Sequence, residues 1–391
     1  RKITNTLHSI YLSNLKYYNT CDACYNKILE ITTGDFNMQL IYLILPTMVL
    51  SHGAVNNPTP RNAVDNDLAP WNGKVPTNPP SVESKTGWCP VANKKGEISG
   101  INGQSCFWFS NGCAIGCETC DGNSRGPIPN SKDPKWVRKF NVCNQTDTVA
   151  TVCDPNKRTV NTAVECGADN DWYYYSPWRR PGNAPVFDSC GMAGGHKPPD
   201  GGFGGIYVNT THASLGDKGS EVLPPMNTNT IWKTGSVVEV AWTIEANHGG
   251  GYIYRLARAD GPLTEDEFNK NPLPFVGQQI FRWNGTKTFN FDGVYLSEGT
   301  TPKGSTWARN PVPRNDYAQT GQGFPPYCTE TDGYKCSGGT DGENTDPTLE
   351  IVDHVLIPES LEPGKYVLGW RWDCEESNQI WQSCSDVTVV A

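Results

Sequence analysis

Apolar and aromatic residues alternate in part with polar ones along six short segments of the C-terminal half of the chain. The segments are rich in β-branched and aromatic residues and are separated by turn residues, a pattern typical of half-buried strands. They are residues 236–246, 252–259, 286–296, 349–358, 365–374 and 385–391. Six such strands predict a β-sandwich. The fold class is therefore expected to be mainly β, with long loops.

One helix is predicted in the segment TEDEFNK, after Leu263. Thr264 is an N-cap candidate, and Glu267 follows three residues later. This spacing is a capping box, in which the two residues satisfy the first unpaired backbone N–H groups of a helix.

The N-terminal part contains a short apolar run, MQLIYLILPTMVLS, at residues 38–51. It ends with Val49 and Ser51 at the −3 and −1 positions of a signal-peptide cleavage site, and it is too short to cross a bilayer as a helix. A buried strand is the alternative. Cleavage before His52 is predicted, with residues 1–37 as an upstream segment outside the domain.

Residues 52–391 are then expected to form one domain. Its first part, residues 52–85, is rich in Pro, Asn and Gly and has no periodic pattern. This composition predicts an extended segment on the surface of the domain.

Composition places the protein outside the cell. Fifteen cysteines are unusual for a reducing compartment, and three N-glycosylation sequons begin at Asn144, Asn209 and Asn284. The net charge is −9, and no basic block suggests nucleic acid or an anionic membrane as a partner. A secreted protein, expected to be a monomer, fits these features.

The cysteines are concentrated in an insertion at residues 89–190, which contains nine of the 13 left after cleavage removes Cys21 and Cys24. Disulfides are favoured there, and zinc held by thiolates is the alternative. Two further bridges, Cys328–Cys336 and Cys374–Cys384, are predicted because each closes a short loop. The odd total leaves one thiol or a metal ligand to be explained.

Five histidines follow the predicted cleavage site: His52, His196, His212, His248 and His354. His248 stands at the end of a predicted strand, before three glycines that allow close approach of a ligand. Cleavage would give His52 a free α-amine beside its imidazole, and the amine deprotonates readily on metal binding. With His248 this makes three nitrogen donors, a set that favours one copper ion. Solvated or structural histidines remain the alternative at the other positions.

Several segments resemble the secreted copper-dependent lytic polysaccharide monooxygenases and their chitin-binding-type-4-like relatives, in a long, cysteine-rich eukaryotic version. They are HGAVNNPTPRN, CFWFSNGCAIGCETCDG, SPWRRPGNAPVFDSCGMAGG, NHGGGYIYRL and GKYVLGWRWDCEESNQIWQSCSDVTV. The resemblance implies an immunoglobulin-like or fibronectin-III-like β-sandwich. It also implies oxidative cleavage of cellulose- or chitin-like polysaccharide with an external electron donor. His52 and His248 match the two histidines of the family's copper-binding histidine brace.

The resemblance further implies roles for Gln379 and Trp381. Gln379 matches the residue that hydrogen-bonds the oxygen ligand, and Trp381 stands where relatives carry an aromatic residue beside copper. Trp381 has no phenolic oxygen, so it either shields the metal or joins Trp370 and Trp372 in a hole-transfer route. Three core tryptophans are the alternative.

Two tryptophans, Trp71 and Trp178, are candidates for stacking on sugar rings, because sugar C–H groups pack on aromatic faces. Core packing is an equal alternative for each. Two other functions stay open on the same fold: a non-catalytic carbohydrate-binding or cell-wall protein, and a copper-binding or transport protein.

Overall fold

The structure is a computed structural model. It describes residues 16–19, 27–30, 52–65, 90–92, 98–101, 107–111, 177–179, 181–184, 186–195, 207, 209–283, 285–297, 300–313, 326–328, 336, 349–374 and 379–391. The chain divides into two compact units, Arg1–Met48 and Val49–Ala391. In the first unit, strand β1 (Lys16–Asn19) pairs antiparallel with β2 (Lys27–Glu30). Among the described residues there is no helix long and apolar enough to cross a membrane.

The second unit is built from strands and a few short helices. Its strands are β3 (His52–Asn57), β4 (Pro90–Ala92), β5 (Ile98–Ile101), β6 (Trp108–Asn111), β7 (Met192–Ala193), β8 (Ile231–Lys233), β9 (Val237–Ala246), β10 (Gly251–Arg258), β11 (Gln279–Trp283), β12 (Lys287–Phe291), β13 (Tyr295–Leu296), β14 (Trp307–Arg309), β15 (Leu349–Leu356), β16 (Gly364–Asp373) and β17 (Gln379–Val390). Its helices are the 3-10 turns Arg61–Asp65 and Pro177–Arg179, α1 (Gly219–Val222) and α2 (Glu265–Phe268).

Two antiparallel sheets form a sandwich. The five-stranded sheet has the order β12-β11-β15-β9-β3. The eight-stranded sheet has the order β13-β14-β10-β16-β17-β6-β7, and β8 pairs parallel with β17. One buried cluster between the sheets takes apolar side chains from both, including Trp242 and Ile351 from the first and Leu368 and Trp370 from the second. The predicted mainly β sandwich is therefore confirmed.

All six predicted strand segments contain strands. Residues 286–296 hold two, β12 and β13, because the turn after Phe291 interrupts the segment. The predicted strand at 385–391 is the end of β17, which begins six residues earlier at Gln379. Strands β1 to β8, β11 and β14 were not predicted, since each is short and shows little alternation.

The prediction that residues 52–85 lie on the surface is wrong for the part that the structure describes. Residues 53–65 are buried apart from the half-buried Asn57. β3 is hydrogen-bonded to β9 in the five-stranded sheet, and Arg61 in the following 3-10 turn forms a bidentate ion pair with Asp386 of β17. Pairing with a sheet satisfies the backbone of a segment that has no periodic apolar pattern of its own.

The capping prediction is confirmed at the N-terminus of α2. The Thr264 side chain accepts a hydrogen bond from the Glu267 backbone N–H, which is the N-cap contact expected from the sequence. Helix α2 is a single turn, and Phe268 at its end is fully buried against the outer face of the eight-stranded sheet, where a Cβ at Gly369 would touch its ring.

One predicted disulfide is present and one is wrong. Cys328 is bonded to Cys336 as predicted, but Cys384 is bonded to Cys190 instead of Cys374. In the β16–β17 pair Cys384 lies opposite Gly369, whereas the N–H of the buried Cys374 bonds to the carbonyl of Gln379. Cys384 is five residues beyond Gln379, which is about 16 Å along a strand. A disulfide requires Cα atoms within about 7 Å.

Candidate metal centre at one end of the sandwich

Several strand ends meet at one end of the sandwich. β3 begins where β9 ends, and His52 is the strand partner of Ala246. The next pair is Gly53 with Ile244, so the register passes over Glu245 as in a β-bulge. His248 follows Ala246 by two residues. This register puts the backbone of the two predicted brace histidines within about 13 Å of each other, given at most 3.8 Å per residue and a partner spacing near 5.5 Å.

The loop that carries His248 is buried and depends on glycine. The His248 side chain is 1% exposed. Gly249 and Gly250 have φ values of 63° and 79°, a region that side chains with a Cβ rarely adopt. A Cβ on Gly251 would stand 2.3 Å from the Ala308 carbonyl oxygen and 2.2 Å from the Trp178 ring. The three glycines therefore let the chain turn sharply into β10 under neighbouring side chains.

Two buried asparagines hold this loop. Asn247 Nδ2 donates to the Val312 carbonyl at 2.9 Å, and its Oδ1 accepts from the Gly249 N–H at 2.9 Å and from Asn310 Nδ2 at 2.8 Å. The Asn310 N–H donates to the Gly250 carbonyl at 2.8 Å. Hydrogen bonds therefore fix the chain immediately before and after His248.

Trp372 of β16 joins the loop to β3. Its indole Nε1 donates to the Gly249 carbonyl at 2.7 Å, and its ring would lie 3.1 Å from a Cβ at Gly53. Gly53 therefore lets this ring and the strand lie closer together than a residue with a Cβ would without a small shift. The contact ties the two sheets together beside His52.

Gln379 lies at the same end of the sandwich. Alternate residues of a strand share a face, so Gln379, Ser383 and Ser385 lie on the same face of β17. On this face Ser383 Oγ accepts from the Val55 N–H of β3 at 3.4 Å, and Ser385 Oγ donates to the carbonyl of Pro58, just after β3, at 3.0 Å. Gln379 belongs to the same face and is 2% exposed. Going back along β17 from Ser385 to Ser383, the contacts move back along β3 from Pro58 to Val55, so Gln379 is placed near the start of β3.

The tryptophans at this end are core residues. Trp370, Trp372 and Trp381 are all fully buried, and Trp381, which lies opposite Trp372 across the strand pair, stacks on Phe109 with ring centroids 4.5 Å apart. Trp370 and Trp372 each pack on Trp242, at 5.1 Å and 5.3 Å. The core interpretation accounts for Trp370 and Trp372. The roles of Gln379 and Trp381 beside a metal remain predictions.

An ion-pair network lies behind the site on the other face of β16. Arg371, 1% exposed, bonds to Asp373 at 2.7 Å and to Glu265 of α2 at 2.8 Å, and Arg255 of β10 bonds to the same Glu265 at 2.8 Å. Burial alone would raise the pKa of Glu265, but the two guanidinium groups outweigh it and lower the pKa to about 2. The carboxylate is therefore ionised across the working pH range.

The buried carboxyl of Asp353 joins the sheets farther inside the core. It accepts hydrogen bonds from the hydroxyls of Tyr252 (2.8 Å) and Tyr254 (3.2 Å) and from Gln279 Nε2 (2.7 Å). Burial raises the pKa of Asp353 to about 6, against the lowering effect of these hydrogen bonds.

The other predicted site residues are placed as follows. Trp178 is 5% exposed and packs against Trp307, with centroids 6.4 Å apart, so stacking on a sugar would require it to be uncovered. Asn209 is exposed, as a glycosylated asparagine must be, and its Oδ1 accepts from the Leu215 N–H. His212 and His354 are partly exposed. Outside the described residues lie Trp71, Asn144, Asn284, His196 and the eight cysteines of the insertion that precede Cys190.

The donor set fits copper in its chemistry. The predicted brace takes three nitrogens from two residues, so it needs no cluster of three metal-binding side chains, and within the described residues no cluster of three or more His, Cys, Asp or Glu is found. The strand register is compatible with such a set, because the buried His248 follows the strand partner of His52 by two residues.

Sequence reasoning did not identify Asn247, Asn310 and Trp372 as supports of the site. Asn247 was visible as the neighbour of His248, and a polar residue flanking a glycine run can indicate a side-chain-stabilised turn. Asn310 and Trp372 are distant in sequence, so their contacts with the loop follow only from the fold.

Comparison with known proteins gives distant structural likenesses. The chain resembles a Thermobia domestica lytic polysaccharide monooxygenase in the Cu(I) state, with 13% identity, a TM-score of 0.23, and coverage of 58% of this chain and 90% of that one. It also resembles a Streptomyces lividans lytic polysaccharide monooxygenase, with 13% identity, a TM-score of 0.20, and coverage of 43% of this chain and 60% of that one. A Bacillus amyloliquefaciens CBM33 in complex with Cu(I) is similar at 12% identity, with a TM-score of 0.20 and coverage of 44% of this chain and 58% of that one.

The chain thus spans less than two thirds of the length of the last two proteins. No protein-family model matches the chain, and neither does any curated protein.

Proposed function

We propose that the chain, cleaved before His52 and secreted, is a copper-dependent monooxygenase that cleaves glycosidic bonds in cellulose- or chitin-like polysaccharide. The observation that carries this proposal is the strand register at the end of the sandwich. β3 starts at His52, its partner is Ala246, and the buried His248 follows two residues later. A chain beginning at His52 would offer three nitrogens at one place.

The residues around the site have distinct proposed tasks. The α-amine and imidazole of His52 and the imidazole of His248 would hold one copper ion, which supplies one-electron redox chemistry with an external donor and an oxygen or peroxide co-substrate. Gln379 would donate a hydrogen bond to the co-substrate and so orient it. Trp381 would keep water from the inner side of the site, because its buried ring stacks on Phe109.

The two bridges between described cysteines support secretion, because disulfides persist in oxidising compartments. The polysaccharide, as an insoluble substrate, would meet the end of the sandwich where the strand ends converge.

The test is product analysis with the processed protein. Protein beginning at His52 is loaded with copper and incubated with insoluble cellulose or chitin, ascorbate and hydrogen peroxide, and soluble products are analysed by mass spectrometry. Oxidised oligosaccharides are expected from at least one polymer. His248→Ala should abolish them, whereas His354→Ala, a partly exposed histidine in β15, should leave them unchanged.

Other outcomes assign other functions. Stoichiometric copper without oxidised products would contradict the proposal and favour copper transport. Retained binding to a polymer without stoichiometric copper would favour a carbohydrate-binding or cell-wall protein.

A further inference from the structure

The segment 310–312 holds the loop of His248 from both sides. Asn310 donates from its backbone N–H to the Gly250 carbonyl and from Nδ2 to Asn247 Oδ1, while the Val312 carbonyl accepts from Asn247 Nδ2. The Oδ1 of Asn310 in turn accepts from the Val312 N–H at 3.0 Å. The bonds from this segment thus end on residues 247 and 250, which lie on either side of His248.

Both amide side chains are committed to this network inside the protein. Asn247 is 2% exposed and Asn310 is 1% exposed. Each amide uses its oxygen as an acceptor and its nitrogen as a donor, so neither can be replaced by a group with donors or acceptors alone. Buried networks whose members are satisfied favour one conformation of the core.

Glycine makes such a restraint necessary. A run of three glycines has the greatest conformational freedom in the unfolded chain and gives the loop no side-chain packing of its own. An imidazole carried on an unrestrained glycine loop would sample several orientations. A metal site requires the ligand to be held in one.

We infer that Asn247 and Asn310 are positioning residues that hold the imidazole of His248 ready for a metal ion. The inference rests on the proposed role of His248 as a ligand. Neither asparagine is expected to touch the metal, and both act through the backbone on either side of the histidine.

The test compares three single variants of the processed protein: Asn310→Ala, the nearly isosteric Asn310→Asp, and Asn271→Ala as a matched control. Asn271 also bonds a backbone carbonyl through Nδ2, that of Leu256 at 3.0 Å, but towards the other end of β10. In each protein the ring resonances of His248, assigned with His248→Ala, are recorded without metal. Cu(II) affinity and the Cu(II) EPR spectrum are then measured below the unfolding temperature.

The two Asn310 variants should broaden or split the His248 resonances, weaken Cu(II) binding by about 10–100-fold, and make the EPR spectrum heterogeneous. Asn271→Ala should change none of these by more than about 2-fold, because its side chain bonds to Leu256 and not to the loop that carries His248. If Asn310→Ala does not fold, Asn310→Asp carries the comparison.

The outcomes separate this inference from the proposed function. Wild-type affinity and spectra in the Asn310 variants would overturn the positioning role and leave the copper function standing. Absence of copper binding in the wild type would overturn the function. If the wild type binds no copper, broadened or split His248 resonances in the Asn310 variants would still support the positioning of the imidazole. Unchanged His248 resonances in these variants would overturn it.

Discussion

The indole nitrogen of Trp372 donates a 2.7 Å hydrogen bond to the carbonyl oxygen of Gly249, the residue that follows His248. A ring in the core between the two sheets therefore holds the loop in which a metal ligand is proposed. The same ring closes against Gly53 of β3. Core packing and the geometry of the site are thus coupled at this residue.

Trp372→Phe should lower the free energy of unfolding by more than Trp370→Phe does. Both lose the same ring volume from the same face of β16, but only Trp372 loses a hydrogen bond, because Trp370 Nε1 has no partner among the described residues. The excess should be about 1–3 kcal/mol, the cost of leaving a buried carbonyl unsatisfied. Urea unfolding of both variants measures it, and equal losses would contradict the coupling.

Glu265→Gln should destabilise the protein strongly. It leaves the buried guanidinium groups of Arg255 and Arg371 without their shared carboxylate, which costs about 3–5 kcal/mol. Glu267→Gln, in the same turn of helix, removes an exposed pair with Lys270 and should cost at most about 1 kcal/mol. Denaturant unfolding of the two variants at neutral pH compares them, and similar losses would show that the network behind β16 is not stabilising.

Asp353 should make the protein more stable in mild acid. Its pKa is about 6 in the folded state against an ordinary value of 3.8, so the folded protein binds this proton more tightly than the unfolded chain. The free energy of unfolding should therefore fall, by about 3 kcal/mol, as pH rises from about 4 to about 6, and this contribution then levels off.

Asp353→Asn should remove that part of the pH dependence, whereas Asp292→Asn, an exposed carboxyl in the turn after β12, should keep it. Urea unfolding between pH 4 and pH 8 tests both. The same slope in the two variants would contradict the assignment to Asp353.

The bridge between Cys190 and Cys384 should appear in a non-reducing digest as one peptide pair joining residues 194 positions apart. Replacing both cysteines by alanine should cost about 2–5 kcal/mol, since the bridge closes a long loop in the unfolded chain. A Cys374–Cys384 peptide in the digest would show that the local pairing predicted from sequence forms after all. The Cys328–Cys336 peptide serves as the internal reference.

The long strands of the fold were predictable from sequence because their residues alternate or are β-branched over eight or more positions, as in β9, β15 and β16. β3 was not, since HGAVNN carries little apolar pattern and becomes a strand by pairing with β9. The wrong disulfide has a similar origin, because proximity in sequence says nothing about the register that places Cys384 opposite Gly369.

The two histidines of the proposed brace are candidates from sequence because His52 follows a leader-like segment and His248 precedes three glycines, and their role stays a prediction. The residues that hold the His248 loop could not be predicted from sequence. Asn310 and Trp372 reach the His248 loop from 62 and 124 positions further along the chain, counted from that histidine, and only the fold brings them there.

Cleavage before His52 would give this residue two of the three nitrogens that are proposed to bind copper. Cu(II) titration with EPR should therefore compare protein beginning at His52 with protein carrying one extra alanine before it, which keeps the imidazole but moves the amine. One copper per chain with nitrogen hyperfine coupling is expected for the first protein, with greatly weakened binding and a changed spectrum for the second. The same affinity and spectrum in both proteins, or no stoichiometric copper in the first, would contradict the account.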